Sequence, residues 1–323
     1  MAGAPAAPEG AAPNGSRWGA LGPVGLVLGG CVSVQFGAAV AVGLMPRAGA
    51  VGVVTLRLAF AALVLLIVCR PKLRGYSRAD WGTVVTFGIT MGGMNLLFYQ
   101  AVERIPLGPA VTLEVLGPLA LSVFASRRLV NAVWAGLALC GVFLLGGGGF
   151  DGGLDLVGAA FAVAAGGMWA TYIIFSARTG RRFPQADGLA LAMVVAAVLC
   201  LPLGIAEAGS RLVVPSTLAL GAAVAVMSSV LPYTLELLAL RRMPASTFAV
   251  MMSLEPAIAA LAGFLILDQA MSALGALAIA LVIAASIGAV RTQVGRGQAK
   301  MPEPEARTAP APESRRAPTS KTR

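Results

Sequence analysis

Four ionisable residues stand inside long apolar stretches of this sequence: Glu114, Glu236, Glu255 and Arg57. At the centre of a bilayer-spanning helix such a group costs about 2.5–3.5 kcal/mol on insertion scales, so each one asks for a functional explanation. Together their chemistry suits a zwitterion. Arg57 can meet a carboxylate, and Glu114 or Glu255 can accept from an ammonium group. A carboxylate held away from water also binds a proton more readily, which makes either glutamate a candidate carrier in proton-coupled exchange. Asn95, Gln35, Tyr233, Trp169 and Tyr172 add neutral polar groups in the same stretches.

Each of these has a plainer reading, and both stay open at this point. Arg57 and Glu114 can form an ion pair that merely makes two charges tolerable. Glu236 can snorkel to the inner surface. Trp169 and Tyr172 can be interfacial anchors. Pro118, Pro232 and Pro256 release backbone carbonyls and kink their helices, serving either as hinges or as fixed shape.

Other chemistries lack their residues. The sequence has no histidine, which removes Ser-His-Asp and Cys-His catalysis and His-based metal sites. There is no GxxxxGK[ST] loop, so the chain cannot itself be an ATP-driven pump subunit. Cys31, Cys69, Cys140 and Cys200 form no CxxC pair and read as small buried hydrophobes. No enzyme activity, cofactor, metal or nucleic-acid partner is expected.

The elements that must position these residues follow from composition. The chain of 323 residues is 58% hydrophobic and 12% charged, with mean hydropathy +0.83 and a net charge of +10. That is too apolar for one soluble core, and disorder needs the opposite composition. A bilayer-crossing helix takes about 20 apolar residues. Ten candidates are found, near 19–43, 50–69, 81–102, 105–125, 130–146, 155–175, 187–205, 217–240, 245–267 and 272–290. Glu114 and Glu255 fall near the middle of the fourth and ninth.

The basic residues test that count, because cytoplasmic loops are enriched in Lys and Arg. With the N-terminus inside, 20 of the 24 fall on the inner side, among them Arg70, Lys72, Arg74 and Arg78, and Arg178, Arg181 and Arg182. Outer loops keep only Arg47, Arg104 and Arg211. Both termini are therefore expected in the cytoplasm, as Pro- and Ala-rich disordered tails (1–17 and a basic 291–323).

The chain also repeats itself. At an offset of 138 residues, Ala101-x-x-Arg104-x-Pro106 falls on Ala239-x-x-Arg242-x-Pro244, and Pro118 falls on Pro256. Five spans per half is an odd number, so the second half enters the membrane inverted. That architecture belongs to transporters, with the substrate site near the midplane. Two five-helix repeats, 18–146 and 155–290, joined by an external Gly-rich linker at 147–154, make an all-α polytopic membrane protein. Gly25-x-x-x-Gly29 and Gly88-x-x-x-Gly92 are candidate helix-packing motifs.

The stretch Gly92-Gly93-Met94-Asn95-x-x-Phe98-Tyr99, with Ile105-Pro106-Leu107-Gly108-x-Ala110-Val111-x-Leu113-Glu114-x-x-Gly117-Pro118, resembles the first repeat of the bacterial threonine/homoserine exporters. These are EamA-type members of the drug/metabolite transporter superfamily. Trp169-Ala170-x-Tyr172-Ile173, Leu231-Pro232-Tyr233-x-Leu235-Glu236 and Met252-Ser253-Leu254-Glu255-Pro256-Ala257 resemble the second repeat. So do Ser33-Val34-Gln35 and Thr55-Leu56-Arg57-Leu58-Ala59 in the first two helices. The resemblance covers about residues 20–290. It implies an inner-membrane secondary exporter of small amino acids. Efflux of another metabolite or a cationic drug is the rival, although the first helix lacks the glutamate that small multidrug relatives use. A membrane scaffold is the more distant alternative. After the ninth helix the family usually has Gly-Glu, where this chain has Leu267-Asp268.

Overall fold

The computed structural model of the chain describes residues 17–126, 129–146, 155–184, 186–240, 242–243 and 245–299. The Gly-rich linker, most of both tails, and Arg127, Arg128, Arg241 and Pro244 lie outside the described residues. Among those described, every regular element is helical. The helices are α1 (Arg17–Cys69), α2 (Arg78–Val102), α3 (Leu107–Glu114), α4 (Leu116–Ser126), α5 (Leu129–Gly146) and α6 (Leu156–Arg182). They continue as α7 (Asp187–Ala208), α8 (Pro215–Ala225), α9 (Leu231–Leu240), α10 (Ala245–Met252), α11 (Glu255–Leu267) and α12 (Ala273–Ala299). A π turn, Val226–Val230, joins α8 to α9. Seven stretches are long and apolar enough to cross a membrane, and Leu107–Leu121 and Val133–Leu145 are shorter apolar helices. The outward surface is apolar as well, with Phe124, Phe143 and Leu156 each about four-fifths exposed. Lipid tails, not water, suit such a surface.

Helix α1 is two arms meeting at Gly49, whose φ of 71° breaks the helical path. Two physical demands select glycine there. An L side chain is strained at that φ, and a Cβ would also run into the Glu207 carboxylate. Glu207 accepts from the Gly52 amide at 2.9 Å, so it covers an otherwise unpaired donor at the start of the second arm. At the other end of the molecule Ser77 and Asp80 form a capping box on α2. Asp80 also pairs with Arg182, at the end of α6, at 3.1 Å.

The sequence predicts continuous helices at 105–125 and 245–267, and apolar helix runs through both, as Leu107–Leu121 and Thr247–Leu267. The helical hydrogen bonding lapses once in each, with Val115 and Leu254 still in right-handed helical conformation. α3 ends at Glu114 and α10 at Met252, each four residues before a proline, Pro118 and Pro256. Proline has no N–H for the carbonyl four residues back, and its ring crowds that carbonyl. The two lapses recur at the offset seen in the sequence: α10 begins and ends 138 residues after α3, as α9 ends 138 after α2. α12 also differs, running to Ala299 instead of stopping near residue 290.

Packing centres on α1, α2, α6 and α7, where Phe87, Met91, Tyr99, Leu44 and Leu58 are fully buried. Gly88 and Gly92 lie against α7, where a Cβ on Gly88 would meet the Ala192 carbonyl and Val195. Gly25, by contrast, is exposed and touches nothing. Gly29 lies against Leu235 of α9, and the face of α1 that meets the π turn and α9 continues as Gly30, Ser33 and Gly37, which share one side of the helix by spacing. The closest approach joins the α3–α4 junction to α6, where a Cβ on Gly117 would strike the Gly166 backbone. The cysteines divide: Cys31 and Cys200 are buried as expected, whereas Cys69 is half-buried and Cys140 exposed. Cys140 lies on α5, whose outward face is apolar.

These contacts make a measurable contrast. Gly88→Ala should destabilise the protein by about 1–3 kcal/mol through overpacking. Gly25→Ala should be neutral or stabilising by about 0.5–1 kcal/mol, since only backbone freedom changes. Melting of the purified protein in detergent reads both, and equal behaviour would contradict this packing.

Candidate functional site

The lapses in helical bonding border a cavity of about 190 Å³. Gln35 on α1, Arg57 on the second arm of α1, Asn95 on α2, Glu114 at the end of α3, and Trp169 and Tyr172 on α6 all line it. Pro232 and Glu236 on α9 and Glu255 at the start of α11 complete the expected residues found there. Residues scattered over two hundred positions thus share one space. Pro118 and Pro256 stand outside the lining, each four residues after one that is in it. The side chain of Tyr233, next to Pro232 on α9, lies outside the described residues.

Arg57 and Glu114 are not an ion pair: among the described residues no carboxylate lies within 4.0 Å of the guanidinium. Arg57 instead donates from Nη2 to the Ser228 carbonyl at 3.1 Å and from Nη1 to the Tyr99 hydroxyl at 3.3 Å. A longer contact of 3.5 Å joins Nε to the Ser229 hydroxyl. Glu236 faces the cavity, so its carboxyl is not simply snorkelling to the membrane surface. Trp169 and Tyr172 also face inward, and Tyr172 packs against Phe87 with ring centroids 5.1 Å apart. Asn95 is buried and donates back to the Met91 carbonyl at 2.9 Å.

Local backbone explains how α9 presents Pro232 and Glu236. The Leu231 amide donates to Val226, five residues back, which leaves the Met227 carbonyl without that amide. The Ser33 hydroxyl takes it at 2.7 Å. Pro232 cannot donate to the Ser228 carbonyl, and Arg57 does so. Gly37 makes room, since a side chain there would strike the Ser228 hydroxyl.

Sequence reasoning missed Val34, Ala38, Met94, Phe98, Val111, Ser228 and Met252 in the lining, and Tyr99 behind it. For the apolar ones no sequence signal exists, because a helix face toward lipid and one toward a cavity read alike. Ser228-Ser229, two adjacent hydroxyls ahead of Pro232 in an apolar span, were a legible signal. As for metals, no cluster of three or more candidate ligands occurs among the described residues.

The chain has three kinds of kin. Residues 156–291 match the EamA-like transporter family. The threonine/homoserine exporters RhtA of Salmonella typhimurium (strain LT2) and of Escherichia coli (strain K12) are each 41% identical to it over 271 residues. Those alignments cover 84% of this chain and 92% of each relative. A solved crystal structure shares the fold at 20% identity with a TM-score of 0.56, over 85% of this chain and 99% of that one. On identity sustained across most of its length, this multi-pass helical membrane protein belongs to the EamA-like transporter family.

Proposed function

We propose that the chain is a secondary exporter of small amino acids, threonine and homoserine among them, working by alternating access in the inner membrane. The observation that carries this reading is the cavity itself. One cation and three carboxylates from helices on both sides of the chain's midpoint face a space of about 190 Å³, a set suited to a small zwitterion with a coupling proton. The RhtA relatives, exporters of threonine and homoserine by name, support the substrate class.

The architecture behind it is ten spans in two inverted repeats, 18–146 and 155–290. The two arms of α1 count as two spans, and the pairs α3–α4, α8–α9 and α10–α11 count as one each. The recurrence of helix ends at 138 residues supports the repeat. With an odd number of spans per half, the lapses at Glu114 and Met252 approach the midplane from opposite faces. Both termini then lie in the cytoplasm, and a label reaching residue 5 or 320 in right-side-out vesicles would overturn that orientation.

The direct test is export of labelled threonine and homoserine from loaded vesicles, with other amino acids and dye cations as competitors. Flux of a cationic dye without flux of an amino acid would replace the substrate class, a result the excess of carboxylates makes worth seeking. Glu114→Gln and Glu255→Gln should each cut export at least about tenfold, the loss of one charged hydrogen bond, while still inserting into the membrane. An outside-acid pH gradient should accelerate wild-type export and have less effect on Glu255→Gln. Wild-type flux in both variants would make these carboxylates structural.

A further inference from the structure

Arg57 is the cation of the cavity, and its partners are unusual for a charge in a membrane. The Ser228 carbonyl and the Tyr99 and Ser229 hydroxyls are all neutral acceptors. A guanidinium carries five N–H donors in a planar fork suited to a carboxylate, and these contacts occupy three. Taking a charge out of water is offset best by an opposite charge, which nothing among the described residues provides within 4.0 Å.

A second group beside it is also unmatched. The Ser228 hydroxyl is buried, with the residue 2% exposed, and has no hydrogen-bond partner. Three side-chain hydroxyls among the described residues share that condition, Thr179, Ser228 and Ser286, and of these residues only Ser228 lines the cavity. A buried donor without an acceptor is costly, and one beside a polar cavity calls for a reason. Arg57 and Ser228 are already joined through the Ser228 carbonyl, at the point that Pro232 leaves without its usual amide donor. Guanidinium donors left over and a hydroxyl without an acceptor, packed beside Gly37, therefore meet at one turn of backbone in a residue that lines the cavity.

We propose that the π turn is the carboxylate subsite of the transporter: Arg57 and the Ser228 hydroxyl together bind the substrate's α-carboxylate. The carboxylate takes guanidinium donors that now rest on neutral oxygens or on none, and it accepts from the serine. The ammonium group and the coupling proton are left to Glu114, Glu236 and Glu255. Ser228 thus becomes a recognition residue alongside Arg57. The inference rests on the reading of the chain as an amino-acid exporter.

Threoninamide supplies the probe, since it keeps the ammonium and the hydroxyl of threonine but has no carboxylate. In vesicles loaded with labelled threonine, unlabelled threonine should compete at least about tenfold better than threoninamide, the fold-change for one charge-assisted hydrogen bond. Ser228→Ala removes an oxygen that bonds nothing in the protein, so its melting temperature should hold or rise. The same variant should raise the KM for threonine several-fold, leave kcat nearly unchanged, and shrink the preference over threoninamide. Arg57→Lys, which keeps the charge but loses the fork, should shrink it further. Equal competition by threoninamide in the wild type would overturn the subsite, as would an undiminished preference in Ser228→Ala. Absence of any amino-acid flux in the wild type would instead overturn the exporter reading on which the subsite rests.

Discussion

Proline lacks an N–H, and the centre of this molecule is arranged around three such absences. Pro118, Pro232 and Pro256 each deprive a carbonyl four residues earlier, at Glu114, Ser228 and Met252, and all three of those residues line the cavity. In a hydrocarbon environment a helix carbonyl without a donor finds no water to replace it. Irregular backbone therefore persists at membrane depth only where protein or a polar space covers it. Each deprived carbonyl belongs to a residue that lines the cavity, and Arg57 covers the one at Ser228.

Tight packing elsewhere makes that arrangement possible. Gly117 and Gly166 bring the α3–α4 junction onto the α6 backbone, and Gly37 lets α1 close onto the π turn. Gly88 and Gly92 seat α2 on α7. Without a hydrophobic drive between helices in lipid, such contacts depend on dispersion at short range, which only small residues permit. The walls are held by glycine where they touch and opened by proline where they part.

Charge was the most legible part of this design. Arg57, Glu114, Glu236 and Glu255 stand out because an ionisable group in an apolar run is expensive, and the structure gathers all four. Helix positions were readable from hydropathy. The lapses in helical bonding were readable from Pro118 and Pro256, but the cavity they share was not. Nor was the π turn, whose only traces are two serines and the proline after them. Packing spacing was half right in one case: of Gly25 and Gly29, which match a contact motif, Gly29 lies against Leu235 of α9 and Gly25 faces outward, while Gly30, Ser33 and Gly37 continue the contact. Spacing identifies a face; it does not identify the neighbour. Of the two open readings of Arg57, the ion pair with Glu114 is the one the geometry does not bear out: among the described residues, backbone and hydroxyl oxygens lie nearer the guanidinium than any carboxylate.

One small contact has a larger implication. Gln269 follows Asp268, which turns the chain at a φ of 52° after α11, and its side chain accepts from the Leu107 amide at 3.0 Å. The first free N–H of α3 is thus stoppered by a residue from the far end of the chain. Were the two ends to separate, water could replace the amide oxygen, so the net loss would be only about 0.5–1.5 kcal/mol. A contact of that size ties the start of α3 to the turn after α11 without committing either element to it.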